Sequence, residues 1–206
     1  MRKLEFFFDY ASPWSYMASC QVEALCADTG AALEWRPVPM GQLFDKANPG
    51  VAVMRSAPVP AKIKHYWKDM RDWARKLGIR IDRPPVYGGA SKQLDSMRAL
   101  RGGLIALEAG KLQPYTRAVY EAYWHELVDV SQADVLAKAA RRAGLDMAEW
   151  EKRIDDPALT AKLTQTADEL IARGGFGVPT FFVDRTDMYF GNDRLEFVRE
   201  ALLARA

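Results

Sequence analysis

Leu4-Glu5-Phe6-Phe7-Phe8-Asp9-Tyr10-Ala11-Ser12-Pro13-Trp14-Ser15-Tyr16 changes character part-way along: an apolar run gives way to a helix start. Phe6, Phe7 and Phe8 favour a pleated, buried strand. Ser12 is a good N-cap residue, and Pro13 fits the first helical position, where its missing N–H costs nothing. Met17, Cys20, Ala24 and Leu25 carry the helix on to Gly30, a normal stop, so one helix is predicted over 13–29. Such a strand-loop-helix aims free backbone N–H groups and the positive end of a dipole at the space before Ser12. An anion is favoured there, thiolates included. Taken alone, Ser12-Pro13-Trp14-Ser15 reads first as a capped helix with no further role.

The far end of the chain supplies the complement. Gly177-Val178-Pro179-Thr180 leads into a strand, Phe181-Phe182-Val183, then a second, Met188-Tyr189-Phe190, then a helix from Asp193. A βαβ opening and a ββα close, with Val-Pro just before the first closing strand, resembles the thioredoxin superfamily. Three motifs narrow the resemblance: Phe8-Asp9-Tyr10-x-Ser12-Pro13-x-Ser15-Tyr16, Gly177-Val178-Pro179-Thr180 and Gly191-Asn192-Asp193-Arg194-Leu195. In this order, and at these distances from the two ends, they are similar to the 2-hydroxychromene-2-carboxylate isomerase family. That family is glutathione-dependent and related to kappa-class glutathione transferases and DsbA-like thiol oxidoreductases. The resemblance implies a cis Val178-Pro179 bond facing the first helix, and places Ser12-x-x-Ser15 where redox members carry Cys-x-x-Cys.

Composition bounds the alternatives. The chain has 206 residues, 49% of them hydrophobic, enough for a full core. A formal net charge of +2, with no Lys/Arg cluster interleaved with aromatics, gives no reason to expect nucleic acid. No apolar stretch is long enough to span a membrane, and Glu5 and Asp9 interrupt the N-terminal run too soon for a signal peptide. A cytoplasmic location with reduced thiols is therefore expected. Cys20 and Cys26 lie on one predicted helix and point to different faces, and read as small core residues. His65 and His125 lack metal-ligand spacing, so no metal site is expected.

Between the two ends the pattern is helical. A second strand is predicted over 33–38, parallel to the first. From Met40 to about Pro60 the pattern is irregular, and it reads as a lid or binding loop or, equally, as a plain surface connection. Ile63, Tyr66, Trp67, Met70, Trp73 and Leu77 recur at helical spacing to Gly78. An extended stretch follows over 79–89, and Ser91 is expected to cap a helix through Leu94, Met97, Leu100, Leu104 and Leu107. Further helices are predicted over 111–126, from Ser131 to Gly144, over 146–154 and over 157–173. The fold class is thus α/β, a thioredoxin-like fold (βαβ + ββα) interrupted by an all-helical insertion. Residues 1–39 and 174–206 form the two parts of the thioredoxin-like domain, and 40–173 the insertion. A small-molecule site is expected where the two lobes meet.

Ser12 is the expected catalytic residue. A serine nucleophile needs a base, and neither a nucleophile elbow nor a placed histidine accompanies it. A hydroxyl that donates to an external thiolate needs no base; it favours S⁻ over SH, and the helix N-terminus adds to the effect. The resemblance implies that glutathione supplies the thiol, with an aromatic keto acid as the second ligand. Val178 would then pair through its backbone with the extended peptide, alongside Pro179. The Asn192-Asp193 helix start offers N–H groups to the glutamyl carboxylate, and Asp193 a partner for its ammonium. The same pair also reads as an ordinary N-cap. By resemblance, Asn48 and Lys62 fall near positions that contact glutathione or substrate, although a lysine on a solvated helix face is the plainer reading of Lys62. Tyr10, Trp14 and Trp124 are expected to line the substrate pocket. The resemblance implies interconversion of 2-hydroxychromene-2-carboxylate and trans-o-hydroxybenzylidenepyruvate by a homodimer, with a kappa-like transferase or a non-catalytic peptide-binding module as alternatives.

Overall fold

A computed structural model describes residues 1–51, 53, 57, 59–84 and 94–204. Strand β1 (Lys3–Phe8) is the centre of the architecture, and all but its first residue are buried. It pairs in parallel with β2 (Ala32–Pro37), Phe6 opposite Trp35, and antiparallel with β3 (Thr180–Val183), Phe6 opposite Phe181. Strand β4 (Asp187–Phe190) adds antiparallel to β3, so the sheet order is β2-β1-β3-β4. The thioredoxin-like reading of the two chain ends is thereby met: the strands come from both ends of the sequence and meet in one sheet.

The alternation along β1 sorts two environments. Phe6 and Phe8 stack at 5.3 Å, and Phe6 also stacks on Phe181 at 5.2 Å and meets Trp35 at 5.1 Å. On the other face Glu5, only 1% exposed, is held by Arg36 at 3.1 Å and by Arg173. Arg173 lies over the Phe182 ring at 3.8 Å, and Arg36 over Phe7 at 5.1 Å. A buried carboxylate between two guanidiniums that themselves rest on aromatic faces is a paired charge, the form in which burial is tolerable.

Helices α1 (Pro13–Ser19) and α2 (Val22–Thr29) replace the single helix predicted over 13–29. The ladder slips at Cys20 and Gln21, where the Gln21 N–H turns to the Ala18 carbonyl at 3.0 Å. Gly30, at φ +68°, ends α2 as expected. The irregular segment expected from Met40 instead opens with α3 (Met40–Ala47). Its start carries no side-chain cap of its own; the carboxylate of Asp9 supplies one by accepting the Met40 N–H at 2.7 Å. That partner is remote in sequence, so local capping signals could not show it.

The helical middle continues with α4 (Pro60–Leu77), α5 (Met97–Glu108), α6 (Leu112–Trp124), α7 (Ala133–Arg142), α8 (Met147–Arg153) and α9 (Pro157–Ala172). The proposed Ser91 cap lies outside the described residues, and Leu94 precedes α5 instead of joining it. Gln132, not Ser131, flanks α7. Asp146 caps α8 as expected, accepting the N–H groups of Ala148 and Glu149. Gly102 and Gly103 let α5 lie against Tyr115, Trp150 and Tyr10, since a Cβ at either position would run into those side chains. A 3-10 turn (Asn192–Arg194) and α10 (Leu195–Leu203) close the chain, α10 packing on α2 and β3. One continuous core joins sheet and helices.

Candidate functional site

Three short segments converge beside the start of α1. Ser12 caps the helix in extended conformation, and its Oγ accepts the Ser15 N–H at 3.1 Å. The same Oγ donates to the Val178 carbonyl at 3.4 Å, across the gap to the other chain end. The Val178-Pro179 bond is cis, as the resemblance implied. The Pro179 carbonyl is taken by the Gly191 N–H at 3.0 Å, which sets the Gly191–Arg194 turn beside it. The Val178 N–H has no partner among the described residues.

A groove of about 520 Å³ runs along this junction, lined by Trp14, Val178, Pro179, Asn192 and Asp193, and facing them Asp69 and Trp73 of α4. Its size suits a small peptide or an aromatic acid. Ser12, 3% exposed, lies beside it under Val178. Asn192 is buried, with its Oδ1 accepting from Gln21 Nε2 at 2.8 Å, while its Nδ2 is buried without a partner. Asp193 is exposed and 3.5 Å from the Arg194 guanidinium. Gly191 sits at φ +110° with the Asp193 carboxylate against its Cα, where any Cβ would stand. The turn therefore needs glycine both for its backbone and for the room given to the acid.

Asp9 ties the site to its surroundings. Its carboxylate accepts the Ala11 N–H at 2.8 Å as well as that of Met40, and Ser96 adds a side-chain hydrogen bond. Its carbonyl accepts the Ser12 N–H at 3.1 Å and the Tyr120 hydroxyl at 3.2 Å. Burial pushes the Asp9 carboxyl up from its ordinary value, against the lowering effect of the Ala11 and Met40 hydrogen bonds. The sequence motif contained Asp9, but nothing local marked it as the anchor of a helix that begins at Met40.

The groove brings together Trp14, Val178, Pro179, Asn192 and Asp193, with Ser12 beside them. Asn48 stands outside the lining at the end of α3, its Nδ2 3.5 Å from the Phe176 carbonyl, so it touches the segment that leads to Val178. Lys62 is exposed and has no hydrogen-bond or ion-pair partner among the described residues. It shares a face of α4 with Tyr66, Asp69 and Trp73, and Tyr66 meets Trp14 edge-on at 5.8 Å. Two expectations are corrected. Tyr10 and Trp124, both at 0% exposure, are core residues outside the lining of the groove. The Tyr10 hydroxyl bonds Thr116 at 3.0 Å, and the Trp124 indole donates to the Tyr10 carbonyl at 3.0 Å, so their polar ends are satisfied inside. Arg194 and Phe190 also line the groove and were not expected; Arg194 stood within a quoted motif, which was its only signal.

The model of the DSBA-like thioredoxin domain matches residues 3–203. The chain belongs to the DsbA-like family. It is 27% identical to a 2-hydroxychromene-2-carboxylate isomerase of Sphingobium xenophagum, over 98% of each chain. It is 26% identical to glutathione S-transferase kappa 1 of Rattus norvegicus, over 96% of this chain and 89% of that one. A solved 2-hydroxychromene-2-carboxylate isomerase superposes with a TM-score of 0.79 at 24% identity, covering 97% of this chain and 94% of that one. Among DsbA-like proteins this one carries hydroxyls at both 12 and 15, so no disulfide can form between those two positions. Among the described residues no group of three or more His, Cys, Asp or Glu is placed to hold a metal, and no helix is long and apolar enough to cross a membrane.

Proposed function

We propose that the protein is a glutathione-dependent isomerase of aromatic keto acids, converting 2-hydroxychromene-2-carboxylate and trans-o-hydroxybenzylidenepyruvate into one another, as a homodimer. The observation that carries the reading is the placing of a buried serine hydroxyl at a helix N-terminus, 3.4 Å from the Val178 carbonyl, beside a groove two of whose lining residues, Val178 and Asn192, carry donors without a partner among the described residues. Similarity to proteins named as isomerases and as a glutathione transferase supports it.

The residues present fit glutathione. The free Val178 N–H suits an extended peptide, the buried Asn192 Nδ2 asks for an acceptor, and Asp193 offers a carboxylate to an ammonium. When bound, glutathione supplies a thiolate nucleophile that can add to an electrophilic carbon and leave again after bond rotation. Ser12 holds the negative charge: its proton, directed at Val178 in the free protein, turns to the sulfur, while its lone pair keeps the Ser15 N–H. The N-terminus of α1 adds its dipole. Trp14, Tyr66 and Trp73 give an aromatic wall for the substrate ring, and Lys62, on the same side of α4, a cation for its carboxylate.

The test is absorbance-monitored interconversion of the two keto acids by purified protein, with and without glutathione, together with free-thiol titration. Interconversion that requires glutathione and leaves its concentration unchanged supports the reading. Steady consumption of glutathione would make the protein a kappa-like transferase instead. Absence of any glutathione-dependent change refutes both.

A further inference from the structure

The break between α1 and α2 frees one backbone carbonyl. In an unbroken helix the Gln21 N–H would bond the Met17 carbonyl; here it goes to Ala18. The Gln21 side chain takes its place, Nε2 donating to the Met17 carbonyl at 3.0 Å. A carbonyl only accepts, so Gln21 is obliged to present its nitrogen. That same nitrogen donates to Asn192 Oδ1 at 2.8 Å. A donor at this point obliges Asn192 to turn its oxygen toward Gln21, and Nδ2 is what remains. It is the Asn192 atom that is buried with no partner, on a residue 3% exposed that lines the groove. A buried amide donor without an acceptor is costly, and natural proteins rarely leave one.

We propose that Gln21 is a positioning residue that fixes the Asn192 amide so that the groove offers a donor, not an acceptor, and so selects a ligand with a carboxylate at that point. The inference rests on the glutathione reading above, in which that carboxylate belongs to the glutamyl end. It gives the slipped turn at Cys20-Gln21 a role: without it, Met17 would be paired along the backbone and nothing would dictate which way Gln21, and therefore Asn192, faces. Gln21 does not line the groove and acts only through Asn192.

The test uses the full chain, labelled with nitrogen-15, with glutathione titrated by calorimetry and the side-chain amide signals of Asn192 followed by NMR. In the natural protein those signals are expected to shift as glutathione binds. Gln21→Met, of similar length and without a donor, should weaken binding about ten-fold, since a hydrogen bond to a charged group is at stake. Gln21→Lys, a donor only, should keep affinity within about three-fold, and Gln21→Glu, an acceptor only, should lose the most by turning Asn192 around. The charged pair is compared at about 1 M salt, where screening leaves donor and acceptor character as the difference. If glutathione binds while the Asn192 signals stay fixed, or if Gln21→Met binds as well as the natural protein, the donor is satisfied by water and Gln21 merely fastens α1 to the turn. Either result overturns the proposal and leaves the glutathione reading standing. Failure of the natural protein to bind glutathione removes both.

Discussion

Replacing Ser12 by alanine separates the structural from the chemical work of one oxygen. The hydroxyl accepts the Ser15 N–H at 3.1 Å as the cap of α1, and losing a cap costs about 1 kcal/mol. Its 3.4 Å contact to the Val178 carbonyl is long and adds little. For a chain of this size a loss of about 1 kcal/mol lowers the melting temperature by roughly 2–4 °C, so the variant stays folded at room temperature. A hydrogen bond to a charged group is worth about 1.5–3 kcal/mol, and one pKa unit is about 1.4 kcal/mol. The thiol of bound glutathione should therefore rise by about one to two units in Ser12→Ala. It should not return fully to its solution value, because the dipole of α1 remains. Thiolate absorbance against pH, with glutathione saturating, reads the shift directly. Isomerisation should fall about 100-fold, as for removal of one preorganised donor. A thiol pKa and a rate both unchanged in Ser12→Ala would show that the hydroxyl is a cap and nothing else.

Asp193→Ala should raise the KM for glutathione roughly ten-fold while leaving the melting temperature in place, given its exposure and its charge-assisted role; an unchanged KM would remove Asp193 from the glutamyl site. Gly102→Ala drives a methyl group into the Tyr115 hydroxyl and the Trp150 ring, and urea unfolding should show a loss of about 1–3 kcal/mol. Stability equal to the parent would mean that α5 can move aside at no cost. Arg173→Ala leaves the buried Glu5 with Arg36 alone and uncovers the Phe182 ring, for an expected loss of about 3 kcal/mol in the same assay. Hydrogen bonding by Arg98 holds the Asp155 carboxyl below its ordinary value. Because that value is depressed in the folded state, the stabilisation is complete above about pH 4 and is lost as the pH falls further. The pair is half-exposed, so the effect is under about 1 kcal/mol, and Asp155→Asn should flatten the acid limb of the stability curve by that amount. Parallel acid limbs in parent and variant would contradict it.

The sheet was legible because three of its strands carry short apolar runs, Phe6-Phe7-Phe8, Phe181-Phe182-Val183 and Met188-Tyr189-Phe190, bounded by strong punctuation: Ser12-Pro13 after β1, Val178-Pro179 before β3, Gly191 after β4. Most helices were legible from spacing and from glycine stops such as Gly30 and Gly78. What could not be read depended on partners remote in sequence. Helix α3 starts without a local cap because Asp9 supplies one from β1's end. The slip at Gln21 is compensated by its own side chain and by Asn192, at the opposite end of the chain. Tyr10, inside a quoted motif, and Trp124 look like pocket aromatics by residue type. Only the fold shows that each satisfies its polar atom inside the core, against Thr116 and against the Tyr10 carbonyl. Asn192 and Asp193 were visible as a motif. The difference between them, one buried with a spare donor and the other exposed, was not.

The short helix α3 works as a strut. Its first amide is pinned to the carboxylate that also shapes the turn before Ser12, and the residue that ends it reaches the Phe176 carbonyl on the run-in to Val178. About 12 Å of rod, at 1.5 Å per residue, thus ties the segment that leads to Ser12 to the segment that leads to Val178. The two segments are braced against each other, and spreading them means unseating the rod at one end. Exchange of the Met40 amide with deuterium would clock that event, since its proton is released only when the Asp9 end lets go.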